Sequence, residues 1–266
     1  MEINMDNMKI TFLGTCACNY SRYEHRFSED LLDSFDNDAR RAASMLIDGH
    51  IMVDCGPHAA DALHIAGASA KDITDIVMTH LHSDHFVPEN VERLAQKKGE
   101  TIRLWVSEDA ELPKMKSIEV RRMRKFETYD LNDEVSITGL SANHDPQTYP
   151  QHLLFEKGGK TLFYGCDGAW MMTATFNYLS KKRLDTMVLD ATVGDYEGDF
   201  RMAEHNSIPM IRLMLKSLKT QEIVAENTKI YLSHIAPRLH KSHAETVEIV
   251  KKDGLFVAFD GMNIEV

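Results

Sequence analysis

The segment Thr79-His80-Leu81-His82-Ser83-Asp84-His85 places three imidazoles and a carboxylate within six residues, directly after an apolar run at residues 73–78. Side chains two residues apart point to the same side of an extended chain, so His80 and His82 can face one ion. The chain is then predicted to enter a helix over residues 86–97, and this turn aims Asp84 and His85 at a neighbouring position. One segment therefore predicts ligands for two metal ions.

The length and composition of the chain predict a single globular domain over residues 1–266. With 266 residues, of which 43% are hydrophobic, the chain can bury a full core. No stretch approaches the roughly 20 apolar residues that a membrane helix needs, and residues 1–9 are polar rather than signal-like. We therefore expect no membrane partner and a cytoplasmic location.

The acidic balance of the chain limits the partners that it is expected to bind. A net charge of −11 argues against extended nucleic-acid binding, because proteins that bind nucleic acids usually carry a basic surface. Small anionic substrates remain compatible with this charge, since bound divalent cations reverse the field locally. A homodimer is also compatible, and the sequence does not specify the oligomeric state.

The four cysteines are too few and too scattered for a secreted disulfide framework, so reduced thiols are expected. Cys16 and Cys18 could begin a structural zinc site, although its other ligands would have to come from elsewhere in the chain. The alternative is that they are ordinary buried cysteines in a loop that follows a glycine. Residues 28–38 form an acidic, polar stretch that predicts an exposed loop or a short helix.

Strand and helix patterns alternate along the chain, which is typical of an α/β protein. Helices are predicted at residues 59–66, 86–97 and 208–218, and a charged helical connection is predicted to reach Lys125. Hairpins are predicted from residues 43–47 with 51–53 and from residues 256–259 with 262–266. The other predicted strands lie at residues 9–13, 101–106, 135–140, 151–156, 161–164, 184–189 and 230–232. This order predicts two packed sheets with helices outside, and loop-borne ligands at one edge.

Three more potential metal ligands follow predicted strands, namely His144, Asp167 and His234. With the first segment they make two ligand sets that share Asp167 as a bridge: His80, His82 and His144 for one ion, and Asp84, His85 and His234 for the other. Five imidazoles and two carboxylates suit two divalent ions of zinc, manganese or iron, and do not choose among them.

The His-x-His-x-Asp-His pattern of residues 80–85, with these downstream ligands, resembles the metallo-β-lactamase superfamily of binuclear hydrolases. The resemblance covers nearly the whole chain, and Val53-Asp54-Cys55-Gly56 is similar to the Asp-x-Gly segment that precedes the motif in that superfamily. It implies an α/β fold of four layers, the αββα metallo-β-lactamase sandwich. We interpret Asp54 as a hydrogen-bond acceptor that orients a ligand rather than as a ligand.

The segments Leu189-Asp190-Ala191-Thr192 and Glu204-His205-Asn206-Ser207-Ile208 discriminate among such hydrolases. Hydrolysis of a phosphodiester needs a proton donor for the leaving alkoxide, and a histidine with a near-neutral pKa can supply the proton. His205 precedes a predicted helix, and Asp190 could orient it. The alternatives are a structural histidine at the start of a helix and a structural carboxylate at the end of a strand.

These segments resemble the phosphodiesterase branch of the superfamily, including ribonuclease Z, and resemble still more the accessory phosphodiesterase of the carbon-phosphorus lyase pathway, which opens cyclic phosphates of ribose. The resemblance implies a metal-dependent phosphoric diester hydrolase for small cyclic phosphodiesters. It would use a hydroxide that bridges two metal ions, with His205 as general acid and with Asp84 and Asp190 in the catalytic set. The chain departs from these families because residues 19–41, after Cys18, contain no further cysteine for a structural zinc loop, and because it has no basic arm for transfer RNA.

Several alternatives remain open from the sequence. The same two metals could hydrolyse carboxylic esters, lactones or amides, although His205 disfavours this reading. A tRNA 3′-processing endonuclease and a non-catalytic, metal-stabilised binding module are further alternatives, and the complete ligand set argues against the module. A basic cluster could form a lid over phosphate, but a solvated helix face is favoured for it. Its members are Lys114, Lys116, Arg121, Arg122, Arg124 and Lys125.

Overall fold

Two seven-stranded sheets lie at the centre of the computed structural model, which describes residues 7–17 and 37–266. The strands are β1 (Lys9–Gly14), β2 (Ser44–Ile47), β3 (Ile51–Val53), β4 (Asp75–Val77), β5 (Ile102–Ser107), β6 (Ile118–Met123), β7 (Thr128–Asp130), β8 (Ser136–Ser141), β9 (Gln151–Lys157), β10 (Lys160–Gly165), β11 (Leu184–Asp190), β12 (Val224–Ser233), β13 (Leu255–Val257) and β14 (Asn263–Glu265). The α-helices are α1 (Pro88–Lys98), α2 (Thr173–Leu179), α3 (Ile208–Thr220) and α4 (His243–Lys251). Short 3-10 helices lie at Ala62–Ala66, Pro146–Thr148 and Phe200–Ala203.

Each sheet combines antiparallel and parallel pairs. The first has the order β14-β1-β2-β3-β4-β5-β6, and its pairs are antiparallel up to β3 and parallel from β3 to β6. The second has the order β13-β12-β11-β10-β9-β8-β7, antiparallel from β7 to β10 and parallel from β10 to β13. The parallel strands of each sheet therefore end at a common edge, where loop residues can converge.

Three apolar clusters show that the molecule has four layers. The middle cluster joins the two sheets, with Val53 from the first sheet and Phe155 from the second. A second cluster packs α3 against the second sheet through Leu215 and Leu154, and a third packs α1 against the first sheet through Leu94 and Ile76. Successive side chains in a strand point to opposite faces, so each sheet is covered on both sides. The expected αββα sandwich is confirmed.

Three sequence predictions of local structure are wrong. The charged connection before Lys125 is not helical, because Ile118–Met123 forms the edge strand β6, paired in parallel with β5. The closing hairpin does not exist, because β13 joins the second sheet and β14 joins the first. The helix at residues 59–66 is only a 3-10 helix at Ala62–Ala66. Local patterns do not reveal which sheet a short strand joins, since the pairing partners lie far away in sequence.

The described part of the chain contains no helix that is both long and apolar enough to cross a membrane. The acidic stretch predicted as a loop or short helix at residues 28–38 lies almost entirely outside the described residues, as does Cys18.

Candidate metal centre

The potential metal ligands predicted from the sequence meet at one edge of the two sheets. His80 lies just beyond the end of β4, and His144 just beyond the end of β8. Asp167 and His234 follow β10 and β12, which flank β11 in parallel. Because these strands run in the same direction, their carboxyl ends bring the two residues together.

Three residues at these strand ends have left-handed backbone conformations. The φ angle is 61° at Asp54, 57° at Asp167 and 54° at His234. Such a conformation costs a residue other than glycine about 1–3 kcal/mol and is concentrated at functional sites. The surrounding packing therefore holds the chain in sharp turns at the points where it delivers these side chains.

A close backbone approach also shapes the site. A Cβ atom on residue 56 would collide with the backbone carbonyl of Asp84, which explains the glycine at this position. The N–H of Cys55 donates to the carbonyl of His85 at 2.8 Å. The loop after β3 is thus fixed against the His80–His85 segment, and it brings Asp54 to the ring of His85.

The first candidate ligand group consists of His80, His82, His144 and Asp167, whose ligand atoms lie within 4.8 Å of one another. The Nε2 atoms of His80 and His144 each lie 3.0 Å from Nδ1 of His82. Nε2 of His80 also lies 3.2 Å from Oδ2 of Asp167. These are the three imidazoles expected for one ion, together with the expected bridging carboxylate.

The second candidate group consists of Asp84, His85, Asp167 and His234, again within 4.8 Å of one another. The Nε2 atoms of His85 and His234 are 3.2 Å apart, and each lies 3.4 Å from Oδ2 of Asp167. Oδ2 of Asp84 is 3.6 Å from Nε2 of His85. Asp167 belongs to both groups, which is the placement that a bridging carboxylate requires.

The chemistry of these donors fits divalent metal ions. Ring nitrogens that face each other at 3.0 to 3.2 Å repel when both carry lone pairs, and a shared cation removes this repulsion. Burial lowers the pKa of His80 to about 4, so its ring is neutral at neutral pH and offers a lone pair. Mixed imidazole and carboxylate shells are typical of zinc, manganese and iron sites. The two groups can therefore hold metal ions.

Asp54 supports a ligand in each group. Its Oδ2 accepts a hydrogen bond from Nδ1 of His85 at 2.7 Å, which leaves Nε2 of that ring for a metal. It also binds the backbone N–H and the hydroxyl of Thr79, whose Oγ1 lies 3.0 Å from Nδ1 of His80. The interpretation of Asp54 as an orienting residue matches this geometry.

His205 lies beside the second group and is paired with Asp190. Nδ1 of His205 is 3.0 Å from Oδ2 of Asp190 and 2.9 Å from Oδ1 of Asp167. The backbone N–H groups of Thr192 and Asn206 donate to Oδ1 of Asp190 at 2.9 and 3.1 Å. Burial would lower the pKa of His205, but Asp190 and Asp167 raise it to about 11. Cations at Asp167 would oppose this rise.

Thr192 has a structural role in the site that the sequence did not reveal. Its Oγ1 lies 2.7 Å from Nδ1 of His234 and 3.1 Å from Oδ2 of Asp190. A proton on Nδ1 of His234 is held by this hydroxyl, so Nε2 is free for a metal. The only sequence signal for this role is its position two residues after Asp190 at the end of β11.

A cavity of about 300 Å³ opens onto the two ligand groups. His205 lies on its wall, together with Arg201, Glu204, Arg238 and Leu239, to which the sequence assigned no function. Glu204 and His205 also form a further candidate ligand group with His144, in which Glu204 is exposed. The cavity thus combines metal-ligating groups with cationic, acidic and apolar residues.

Two other expectations concern residues outside the two ligand groups. Cys16 is buried and belongs to no candidate ligand group among the described residues, and its proposed partner Cys18 lies outside them. In the basic cluster, Arg121 and Arg122 lie on the edge strand β6 rather than on the favoured helix face, and Arg121 and Arg124 pair with Glu119 and Glu108. Within the described chain, no member of the basic cluster lines the cavity.

Comparisons with solved structures identify the fold. A diphosphatase from the PhnP family superimposes with a TM-score of 0.73 at 20% identity, covering 98% of this chain and 97% of that chain. The metallo-β-lactamase fold protein YhfI from Bacillus subtilis gives a TM-score of 0.73 at 15% identity, covering 98% and 100%. These similarities confirm the metallo-β-lactamase fold.

Comparisons of sequence identify the family. The anti-Pycsar protein Apyc1 of Paenibacillus xerothermodurans is 41% identical over 58 residues, which is 21% of this chain and 23% of the relative. The match therefore spans less than a quarter of that relative. The family model described as Anti-Pycsar protein Apyc1 matches residues 8–201, which include the His80–His85 segment, Asp167 and Asp190. On this match, the chain belongs to the Apyc1 family of anti-Pycsar proteins.

Proposed function

We propose that this protein is a metal-dependent phosphodiesterase that hydrolyses small, cyclic phosphodiesters. The observation that carries the proposal is the pairing of His205 with Asp190, next to Asp167 and on the wall of the cavity. In this arrangement His205 would act as a proton donor beside the groups that can hold metal ions. A leaving alkoxide needs such a donor, because its conjugate acid is weak.

The metal centre would hold one ion on His80, His82 and His144 and the other on Asp84, His85 and His234, with Asp167 between them. When bound, two divalent ions of zinc, manganese or iron lower the pKa of water and neutralise the non-bridging oxygens of a phosphate. Asp54 and Thr192 keep the Nδ1 protons of His85 and His234 engaged, so both rings present Nε2.

His205 provides the proton for the leaving group. Nδ1 of the ring is engaged by the carboxylates of Asp190 and Asp167, so Nε2 is the nitrogen available to the cavity. In the reaction a water molecule loses one proton to solvent and its oxygen bonds to phosphorus, the bond from phosphorus to the leaving oxygen breaks, and His205 protonates that oxygen before it regains a proton from solvent. General acid catalysis of this kind contributes about 10² to 10⁴-fold to the rate.

The size and lining of the cavity favour a small anionic substrate. A volume of about 300 Å³ is at the lower end for small-molecule sites. Arg201 and Arg238 bring guanidinium groups to the wall of a protein whose net charge is −11. Nη1 of Arg201 forms an ion pair with Oδ2 of Asp199 at 2.7 Å, which restricts the position of the guanidinium. We extend the anti-Pycsar role named in the family description to this chain as part of the proposal.

A substrate screen tests the proposal. Protein loaded with zinc or manganese is assayed on nucleoside 2′,3′-cyclic and 3′,5′-cyclic phosphates and on ribose 1,2-cyclic phosphates. Linear diesters, short RNA, a lactone and a β-lactam are the comparison substrates. We expect the highest kcat/KM on a cyclic phosphate, loss of activity with chelator, and recovery when about two equivalents of metal per chain are restored.

Three outcomes of this screen and of metal analysis would contradict the proposal. Turnover of the lactone or β-lactam above all phosphodiesters would assign the site to carbonyl substrates. A preference for short RNA would favour the endonuclease alternative. Fewer than about two metal equivalents in protein purified without chelator would favour a binding module.

A further inference from the structure

His152 is a deeply buried histidine outside the two ligand groups. It lies on β9, where it pairs with Leu140 on β8, and its residue exposure is 3%. The ring makes an edge-to-face contact with Phe163 on the neighbouring strand, with centroids 5.5 Å apart and an interplanar angle of 90°. Within residues 7–17 and 37–266, neither ring nitrogen has a hydrogen-bond partner. Buried polar atoms are nearly always satisfied, so this ring calls for an explanation.

The buried ring of His152 packs against the loop that carries Asp167. A Cβ atom on residue 168 would lie 2.5 Å from Nε2 and 3.2 Å from Cε1 of His152. The imidazole therefore occupies the space in which any larger residue at 168 would place its side chain. Burial lowers the pKa of His152 to about 4, so the ring packs against the loop as a neutral group.

Gly168 is also held by polar contacts on its other sides. Its N–H donates to Oδ2 of Asp190 at 3.3 Å, and its carbonyl accepts from Nδ2 of Asn206 at 2.8 Å. The next residue, Ala169, donates its N–H to the carbonyl of Asn143 at 2.9 Å. The loop is thus fixed to the residues around His205 by hydrogen bonds and to β9 by the ring of His152.

We propose that His152 is a positioning residue that fixes the bridging carboxylate of Asp167 through its contact with Gly168. Asp167 has a left-handed backbone, so its side chain reaches both ligand groups only while the loop holds this turn. The ring of His152 blocks the loop from collapsing toward β9. The proposal rests on the metal centre described above and is independent of the substrate.

A double-mutant cycle tests this contact directly. Gly168→Ala introduces the Cβ that collides with the ring, and His152→Ala removes the ring. The affinity for Zn²⁺ is measured by competition with a chromophoric chelator, which requires no substrate. We expect Gly168→Ala to weaken Zn²⁺ binding by about tenfold or more, as changes behind metal ligands commonly do. We expect the double variant to regain part of this affinity, because the collision is absent.

A second readout does not depend on the folding of Gly168→Ala. The absorption bands of bound Co²⁺ report the ligand geometry, and we expect His152→Ala to shift them relative to the parent protein. His50→Ala is the matched control, because it removes a half-buried imidazole bonded to Asn132 away from the ligands. The control should bind Zn²⁺ and Co²⁺ as the parent does.

The results separate this proposal from the proposed function. Parent-like Zn²⁺ affinity in Gly168→Ala, no recovery in the double variant, or unchanged Co²⁺ bands in His152→Ala would each overturn the positioning role while the parent still binds two metals. Failure of the parent protein to bind Zn²⁺ would instead overturn the metal centre itself.

Discussion

The carboxylate of Asp54 accepts a hydrogen bond from Nδ1 of His85 at 2.7 Å, and both side chains are fully buried. Through Thr79 the same carboxylate reaches His80 in the other ligand group. A single carboxylate behind the ligands therefore orients one imidazole in each group. This relationship makes Asp54 the most informative position for testing the metal centre without altering a ligand.

We expect Asp54→Asn to weaken Zn²⁺ binding by about 10 to 100-fold, because the charge that holds Nδ1 of His85 is lost. Asparagine suits the left-handed backbone at this position better than alanine does. Competition with a chelator measures the affinity. Asp75→Asn is the control, since Asp75 is an equally buried carboxylate bonded to Trp105 and Arg103. Equal losses of Zn²⁺ affinity in the two variants would show that removing the charge of any buried carboxylate weakens binding, and would contradict a specific role of Asp54.

We expect His205→Ala to lower kcat by about 10² to 10⁴-fold on substrates with an alkoxide leaving group, while metal content stays unchanged. The loss should be much smaller on a nitrophenyl phosphodiester, because nitrophenolate leaves without protonation. Steady-state kinetics on both substrates and metal analysis check this prediction. Equal losses on the two substrates would argue for a structural role of His205 rather than for proton donation.

Asp190→Asn should also lower kcat, because the charge that holds Nδ1 of His205 is removed while the volume is kept. If Asp190 and His205 act as one unit, kcat of the double variant should be little lower than kcat of His205→Ala alone. We expect a coupling energy of about 1 to 3 kcal/mol from the kcat values of the four proteins. Strictly additive losses in the logarithm of kcat would show that Asp190 does not act through His205.

The free energy of unfolding is expected to fall in mild acid, in part because of His58. Its Nδ1 accepts from the N–H of Ala42 at 3.0 Å, and burial, assisted by Arg41, lowers its pKa from 6.5 to about 4. Between pH 4 and pH 6.5, His58 binds more protons in the unfolded state than in the folded state. The contribution of His58 to the free energy of unfolding is therefore fully present above pH 6.5 and decreases as the pH falls toward 4. The full effect of His58 amounts to about 3 kcal/mol.

His58→Asn tests this linkage, because its side-chain oxygen can still accept the N–H of Ala42 but does not titrate. Urea unfolding at pH 7.5 and pH 5.0 gives the stability of both proteins. The free energy of unfolding should change less between pH 7.5 and pH 5.0 in the variant than in the parent protein. An identical difference in both proteins would exclude His58 as a source of the acid sensitivity.

Much of the fold could be predicted from local patterns, and the errors have a common physical cause. The hairpin of β2 and β3 and the helix α3 were predicted because a turn sequence or a hydrophobic period encodes them locally. The sequence of the edge strand β6 predicts a helical connection instead, since exposure on most of its length removes the alternation that marks a buried strand. Because β13 and β14 are neighbours in sequence, the local pattern predicts that they pair with each other. In the structure β13 pairs with the longer strand β12 and β14 pairs with the longer strand β1.

The sequence by itself determined which side chains can bind metals, because imidazoles and carboxylates at strand ends are visible as residue types and spacings. Only the tertiary structure decided how they are held in place: the ring of His85 donates to Asp54, Thr192 holds the ring of His234, and the ring of His152 lies against Gly168. These contacts join residues from different strands of two sheets. Their distances depend on sheet packing and strand register, which no local segment encodes.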